Sequence, residues 1–198
     1  MPKRPEILLI WVLFWQKISL LTVPNQITIA RILLIPLFVY FLLATSLTWS
    51  SLVAAALFLV LCLSDALDGF LARKLNQVSE LGKLLDPLAD KILVLGAFLV
   101  FVELGKLPAW VVLTIISRDL LVMGIRTWAA REGRIIAASP LGKWKTAFQM
   151  AAVFFLILGW GTGYLLFWIS FLLCLMSGWD YFKGFLEQIS SADAPGMK

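Results

Sequence analysis

Six apolar stretches, near residues 27–46, 49–74, 83–104, 108–131, 142–161 and 164–183, follow one another along this chain. Each approaches the roughly 20 residues that a helix needs to cross the hydrocarbon core of a bilayer. No long linker or low-complexity segment divides them, so they read as one domain. Composition agrees with the pattern: of 198 residues, 61% are hydrophobic and 15% charged, and mean hydropathy is +0.93. Soluble domains are usually nearer half apolar, so the excess needs lipid to bury it. The expected fold is an all-α membrane protein with six transmembrane helices.

The ends of the chain differ from this core. Residues 6–22, EILLIWVLFWQKISLLT, are apolar but run straight into VPNQ. Their length and their tryptophans predict a helix lying in the membrane interface rather than a seventh span. The expected organisation is an N-terminal interfacial segment at 1–26, a six-helix transmembrane domain at 27–187 and a polar, frayed tail at 188–198. Lys3 and Arg4 precede an apolar stretch with no small-residue cleavage site, so no cleavable signal peptide is expected.

Charge sets the orientation. The turns near 45–50, 103–108 and 161–164 carry one lysine, Lys106, and no arginine, whereas the opposite ends carry eleven lysines and arginines. The positive-inside rule then places both termini and the aspartate cluster on the cytosolic side. The short chain without a targeting peptide makes a bacterial plasma membrane the expected location, with a plastid or mitochondrial origin as the alternative. The net charge of +5 reads as this asymmetry and not as a nucleic-acid surface. Cys62 and Cys174 lie far apart in apolar runs, which suggests neither a disulfide framework nor a zinc site. There is no histidine. Any general base must be a carboxylate or a lysine, and any metal site must be built of oxygen.

Four aspartates stand out in the stretch LSDALDGFLARKLNQVSELGKLLDPLADKIL, residues 63–93. The second span is apolar for only 14 residues, Ser51 to Ser64, and must continue through Asp65 and Asp68 to cross. The third has an apolar run of only 11 residues, 92–102, and must begin before Asp90, near Gly82. Both spans thus carry their acids close to the cytosolic edge of the bilayer. Asp65 and Asp68 are spaced i, i+3 and Asp86 and Asp90 i, i+4, so each pair shares a helix face. Gly69, Ala72 and Gly82 leave room for a ligand near the backbone. Converging carboxylates repel one another, and a divalent cation relieves both that repulsion and their desolvation. Mg²⁺, Mn²⁺ or Ca²⁺ would suit such oxygens. The plainer alternative is helix-end charge paired with Arg73, Lys74, Lys83 and Lys91.

The spacing Asp65-x2-Asp68-Gly69-x2-Ala72-Arg73-x8-Gly82-x3-Asp86-x3-Asp90 resembles the motif of the CDP-alcohol phosphotransferase family, with eight defined residues over 26 positions. The resemblance implies a six-helix membrane enzyme, usually a homodimer, that transfers a phosphatidyl or related group from a CDP-linked lipid to an alcohol and releases CMP. It implies that Asp65, Asp68 and Asp86, with Asp90 beside them, hold one or two Mg²⁺ or Mn²⁺ ions. Asp90 would also serve as general base. Gly69, Ala72, Arg73, Gly82, Ser79 and Asp68 would line the CDP-lipid pocket. These roles agree with phosphoryl transfer, which needs charge neutralised on the pyrophosphate and a nucleophile held in line.

The fourth and fifth spans bear on the acceptor. An arginine as deep as Arg118 should face a polar cavity and a partner. One reading is an ion pair with Asp119, Asp86 or Asp90, although adjacent helical residues make Asp119 a poor sole partner. The other is an anion pocket in which Arg118, Arg126, Lys143 and Lys145 hold a phosphate on the acceptor. Arg118-Asp119, Arg126, Gly142-Lys143-Trp144-Lys145-Thr146 and Gln149-Met150 resemble the branch of the family that takes sn-glycerol-3-phosphate, with CDP-diacylglycerol as donor. Asn25, Thr28 and Arg31 in PNQITIARILLIP fit the same branch. Asp119 in place of glutamate and Ser79 in place of threonine are conservative departures. An inositol-phosphate acceptor would also need a phosphate clamp.

For Asn25 and Thr28, capping of the first span competes with a CDP-lipid contact. For Arg31, reaching out to the interface competes with a nucleotide or metal-shell contact. A different class, an ion or proton transporter, would scatter its charges near the midplane and often show inverted repeats. Here the acids cluster at one edge. Trp11, Trp15, Trp49, Trp110, Trp128, Trp160 and Trp168 mostly fall near expected interfaces, which an aromatic belt explains.

Overall fold

The computed structural model describes residues 23–44, 49–74, 80–131 and 139–192. For residues 23–25, 65–74, 80–87, 90, 128, 130, 131 and 184–192 it describes the backbone alone. Six helices are present and no strand occurs among the described residues: α1 (Val23–Leu43), α2 (Ser50–Lys74), α3 (Glu80–Glu103), α4 (Ala109–Arg131), α5 (Pro140–Ile157) and α6 (Thr162–Ala192). Each corresponds to one expected span. The segment 6–22 lies outside the described residues. Helix α6 continues to Ala192, into the stretch read as tail, and the next helix-breaking residue, Pro195, comes only later.

Two helices among the described residues, over Gln26–Leu43 and Thr162–Lys183, are long and apolar enough to cross a membrane. The apolar part of α2, Ser50–Ser64, is shorter, because it stops where Asp65 begins. On α1, Leu33, Leu34 and Leu37 are exposed while Ile35, Phe38 and Leu42 are buried. A helix apolar on both its packed and its outer side suits a lipid surround.

The chain divides inside α3 into two units, Met1–Gly96 and Ala97–Lys198. In the first, α1 packs along α2. The buried positions of α1 are Thr28, Arg31, Ile35, Phe38 and Leu42, alternating by three and four, which is the seam of a helix pair. Phe38 meets Phe58 of α2 with ring centroids 5.8 Å apart. The upper part of this seam is apolar; the lower part is Thr28 and Arg31.

In the second unit α6 packs along α5 and also against α4. Its buried positions include Gly163, Phe167, Ser170, Cys174, Ser177 and Tyr181, which follow the same three-four spacing, and Phe171 beside them. Small residues on that stripe let helix backbones approach closely, the usual packing device where lipid removes the hydrophobic drive. Phe167 also takes Phe98 of α3 edge to face at 5.2 Å. Helices α3 and α5 end alike. Gly105 and Gly159 adopt φ of 67° and 74°. In each case the glycine N–H reaches back three residues and the next N–H five: Gly105 to Val102 and Lys106 to Phe101, Gly159 to Leu156 and Trp160 to Phe155. Left-handed glycines of this kind satisfy the last carbonyls of a helix and turn the chain sharply.

Candidate active site

The acid motif lies on two continuous helices. Asp65 and Asp68 fall within α2, and Asp86 and Asp90 within α3, so helical register puts each pair on one face. Gly69, Ala72 and Arg73 continue α2, and Gly82 lies in the first turn of α3. The side chains of the four aspartates and of Arg73 lie outside the described residues, as does Ser79. As a donor set, four carboxylates with no sulfur or imidazole fit a hard divalent cation such as Mg²⁺ or Mn²⁺.

Of the N-terminal candidates, Arg31 meets α2, at Ser64. Thr28 is six residues into α1 and buried, so it does not cap that helix. Asn25 also falls inside α1, which starts earlier because Pro24 is tolerated in a first turn; its side chain lies outside the described residues. Arg31 is 1% exposed. Instead of reaching outward it turns into the seam, and its Nε donates to Ser64 Oγ at 3.4 Å, one residue before Asp65. Ser64 Oγ in turn donates to the carbonyl of Leu61 at 2.8 Å.

The basic candidates centre on Asp119. Lys145 of α5 donates to both carboxylate oxygens at 2.6 Å. Arg118 Nη1 donates to Oδ1 at 3.0 Å. Adjacent helical residues do meet here, because the long arginine side chain bends back along α4. Asp119 is shared with Lys145, and Arg118 has a second partner: Nη2 donates to Ser177 Oγ of α6 at 2.7 Å. All three charged side chains are buried or nearly so, at 13% exposure for Arg118, 3% for Asp119 and 2% for Lys145. Two cations on one carboxylate leave the trio with one positive charge, an arrangement suited to an anion.

Arg118 and Lys145 are thus brought together, whereas Arg126 and Lys143 are exposed. Lys143 and Lys145 are two residues apart on α5 and so point to different sides. Tyr181 places its ring 5.5 Å from the Arg118 guanidinium carbon, and its hydroxyl accepts from the Ser139 N–H at 3.2 Å. Ser139 in turn caps α5, its Oγ accepting from the Gly142 N–H at 3.1 Å. Sequence reasoning passed over Ser177 and Tyr181. The signal available was the pair of small polar residues Ser170 and Ser177, seven positions apart in a mostly apolar last span.

Comparison with known proteins extends this picture. Residues 21–176 match the family model of the CDP-alcohol phosphatidyltransferases. The CDP-diacylglycerol–glycerol-3-phosphate 3-phosphatidyltransferase of Bacillus subtilis is 39% identical over 189 residues, 86% of this chain and 98% of its own. The enzyme of that name from Rickettsia bellii is 34% identical, over 81% of this chain and 93% of its own. The one from Escherichia coli K12 is 39% identical, over 68% and 76%. With four-fifths of its length matched by the family and relatives this similar along most of their own length, the chain belongs to the CDP-alcohol phosphatidyltransferase family.

Proposed function

We infer that this chain is a CDP-diacylglycerol–glycerol-3-phosphate 3-phosphatidyltransferase. It transfers the phosphatidyl group of CDP-diacylglycerol to sn-glycerol-3-phosphate and yields phosphatidylglycerophosphate and CMP. The relatives that carry this name support the reaction. The observation that carries the acceptor assignment is the buried Arg118–Asp119–Lys145 trio. Its net positive charge would bind an acceptor that brings its own phosphate, where choline, serine or ethanolamine would need none.

In this reading Asp65, Asp68, Asp86 and Asp90 hold one or two divalent ions, Mg²⁺ or Mn²⁺. When bound, the metal neutralises charge on the pyrophosphate oxygens of the donor. Gly69, Ala72, Arg73, Ser79 and Gly82, with Asn25 and Thr28, line the CDP-lipid pocket. Arg118 and Lys145 hold the acceptor's phosphate from within, and Arg126 and Lys143 reach it from the exposed side. Asp90 takes the proton from the acceptor's primary hydroxyl. That oxygen forms a bond to the β-phosphorus of CDP-diacylglycerol, the bond from that phosphorus to the bridging oxygen breaks, and CMP leaves. All six helices cross the bilayer, the N-terminal segment lies in its interface, and the active site faces the cytosol of a bacterium. The acyl chains of the donor then stay in lipid while its head group reaches the site. The enzyme works as a homodimer.

CMP release from purified protein in detergent tests this reading, with CDP-diacylglycerol and Mg²⁺ and with glycerol-3-phosphate, inositol-1-phosphate, serine or inositol as acceptor. Release with glycerol-3-phosphate alone, abolished by EDTA, is the expected result. Release only with inositol-1-phosphate would keep the phosphate clamp and change the acceptor. Release only with serine or inositol would remove the clamp, and no release with any acceptor from folded protein would overturn the reaction.

A further inference from the structure

Three residues of α6 surround the Arg118 guanidinium. Ser177 Oγ accepts from Nη2 at 2.7 Å, and its own hydroxyl proton points to the Cys174 carbonyl at 3.3 Å. Its lone pairs are therefore turned toward the arginine. Tyr181 lies against the guanidinium at 5.5 Å. Gly178 is the third: a Cβ there would stand 3.2 Å from Arg118 Cγ and 3.4 Å from Nε. Nε is buried and has no hydrogen-bond partner among the described residues. It forms one prong of the fork with which a guanidinium grips phosphate. Asp119 and Ser177 fix the two Nη atoms, and glycine at 178 lets the Arg118 side chain lie close against α6, where a Cβ would crowd Cγ and Nε.

We propose that Ser177, Gly178 and Tyr181 are positioning residues that aim Arg118 at the acceptor's phosphate, so that the last helix sets acceptor affinity. They lie just beyond the part of the chain matched by the family model, which ends at 176. This inference rests on the acceptor reading above.

The test is steady-state CMP release by full-length Ser177→Ala, Ser177→Thr and Gly178→Ala in detergent, varying glycerol-3-phosphate and CDP-diacylglycerol separately, with thermal unfolding of each variant. A hydrogen bond to a charged group is worth roughly tenfold in binding. Ser177→Ala should therefore raise KM for glycerol-3-phosphate roughly tenfold, with kcat and KM for CDP-diacylglycerol unchanged. Ser177→Thr, which keeps the hydroxyl, should restore it. Gly178→Ala, where folded, should show the same selective rise. Wild-type KM for glycerol-3-phosphate in both Ser177→Ala and Gly178→Ala would overturn the proposal. So would equal losses toward both substrates that track a fall in Tm, since those describe a purely structural role. If wild-type protein releases no CMP with glycerol-3-phosphate, the acceptor reading itself falls, which is a separate and earlier result.

Discussion

Lys145 Nζ lies 2.6 Å from each carboxylate oxygen of Asp119, with both side chains almost wholly out of solvent. Breaking such a pair from one side takes from a buried charge the partner that holds it here, and losing one partner of a buried pair costs about 3–5 kcal/mol. Asp119→Asn should be worse than an ordinary polar change, because it leaves Arg118 and Lys145 facing each other. Its Tm in detergent should fall well below wild type. The double variant Asp119→Asn, Lys145→Met removes one of the two cations as well and should recover much of the loss. A double variant no more stable than Asp119→Asn alone would show that the pair is not the unit that matters.

Asp90 has a sharper signature. In its proposed role as general base it acts on the acceptor hydroxyl as the proton moves, so Asp90→Asn should lower kcat by about 10²–10⁴-fold. Binding of CDP-diacylglycerol, followed by its protection against thermal unfolding, should survive. Unchanged turnover would remove Asp90 from that role. Loss of CDP-diacylglycerol binding together with turnover would instead make it chiefly a donor-site ligand.

Much of the fold was legible because lipid imposes a length. Six apolar runs became six helices, including α2 and α3, and two of the six, α1 and α6, are long and apolar enough to cross a membrane. That each pair of aspartates shares a helix face was legible because helical register ties sequence spacing to a face. What escaped depends on helix rotation and on contacts distant in sequence. Arg118 and Ser177 are 59 positions apart, and no local pattern announces their bond. Capping by Asn25 or Thr28 was open from sequence, yet Pro24 sits within the first turn and α1 begins at Val23, before both. Arg31 looked free to reach outward until its three-four spacing with Ile35 and Phe38 placed it in the seam.

Gly163 tests the closeness of α6 to α5. A Cβ there would sit 2.7 Å from the backbone nitrogen of Leu156 and 2.8 Å from its Cγ. The nitrogen belongs to the last turn of α5 and cannot swing aside like a side-chain tip. Gly163→Ala should therefore destabilise the protein by about 1–3 kcal/mol, as overpacking does. Activity per folded molecule should stay near wild type, because none of the proposed site residues lies there. An unchanged Tm would mean that the start of α6 shifts at little cost.

Gln149 offers the opposite sign. It lies one turn beyond Lys145 on α5 and is 3% exposed, yet its Nε2 finds no acceptor among the described residues. A buried donor left unmet costs about 1–3 kcal/mol, so removing it can be neutral or favourable. Methionine is unbranched, of similar length and able to fill irregular space. Gln149→Met should hold or raise the Tm in detergent, where most core changes lower it. Gln149→Glu should lower it, since it exchanges the amide for an acid in the same buried place. If Gln149→Met were clearly destabilising and Gln149→Glu were not, the amide would have a bound partner, such as an ordered water, that its removal strands.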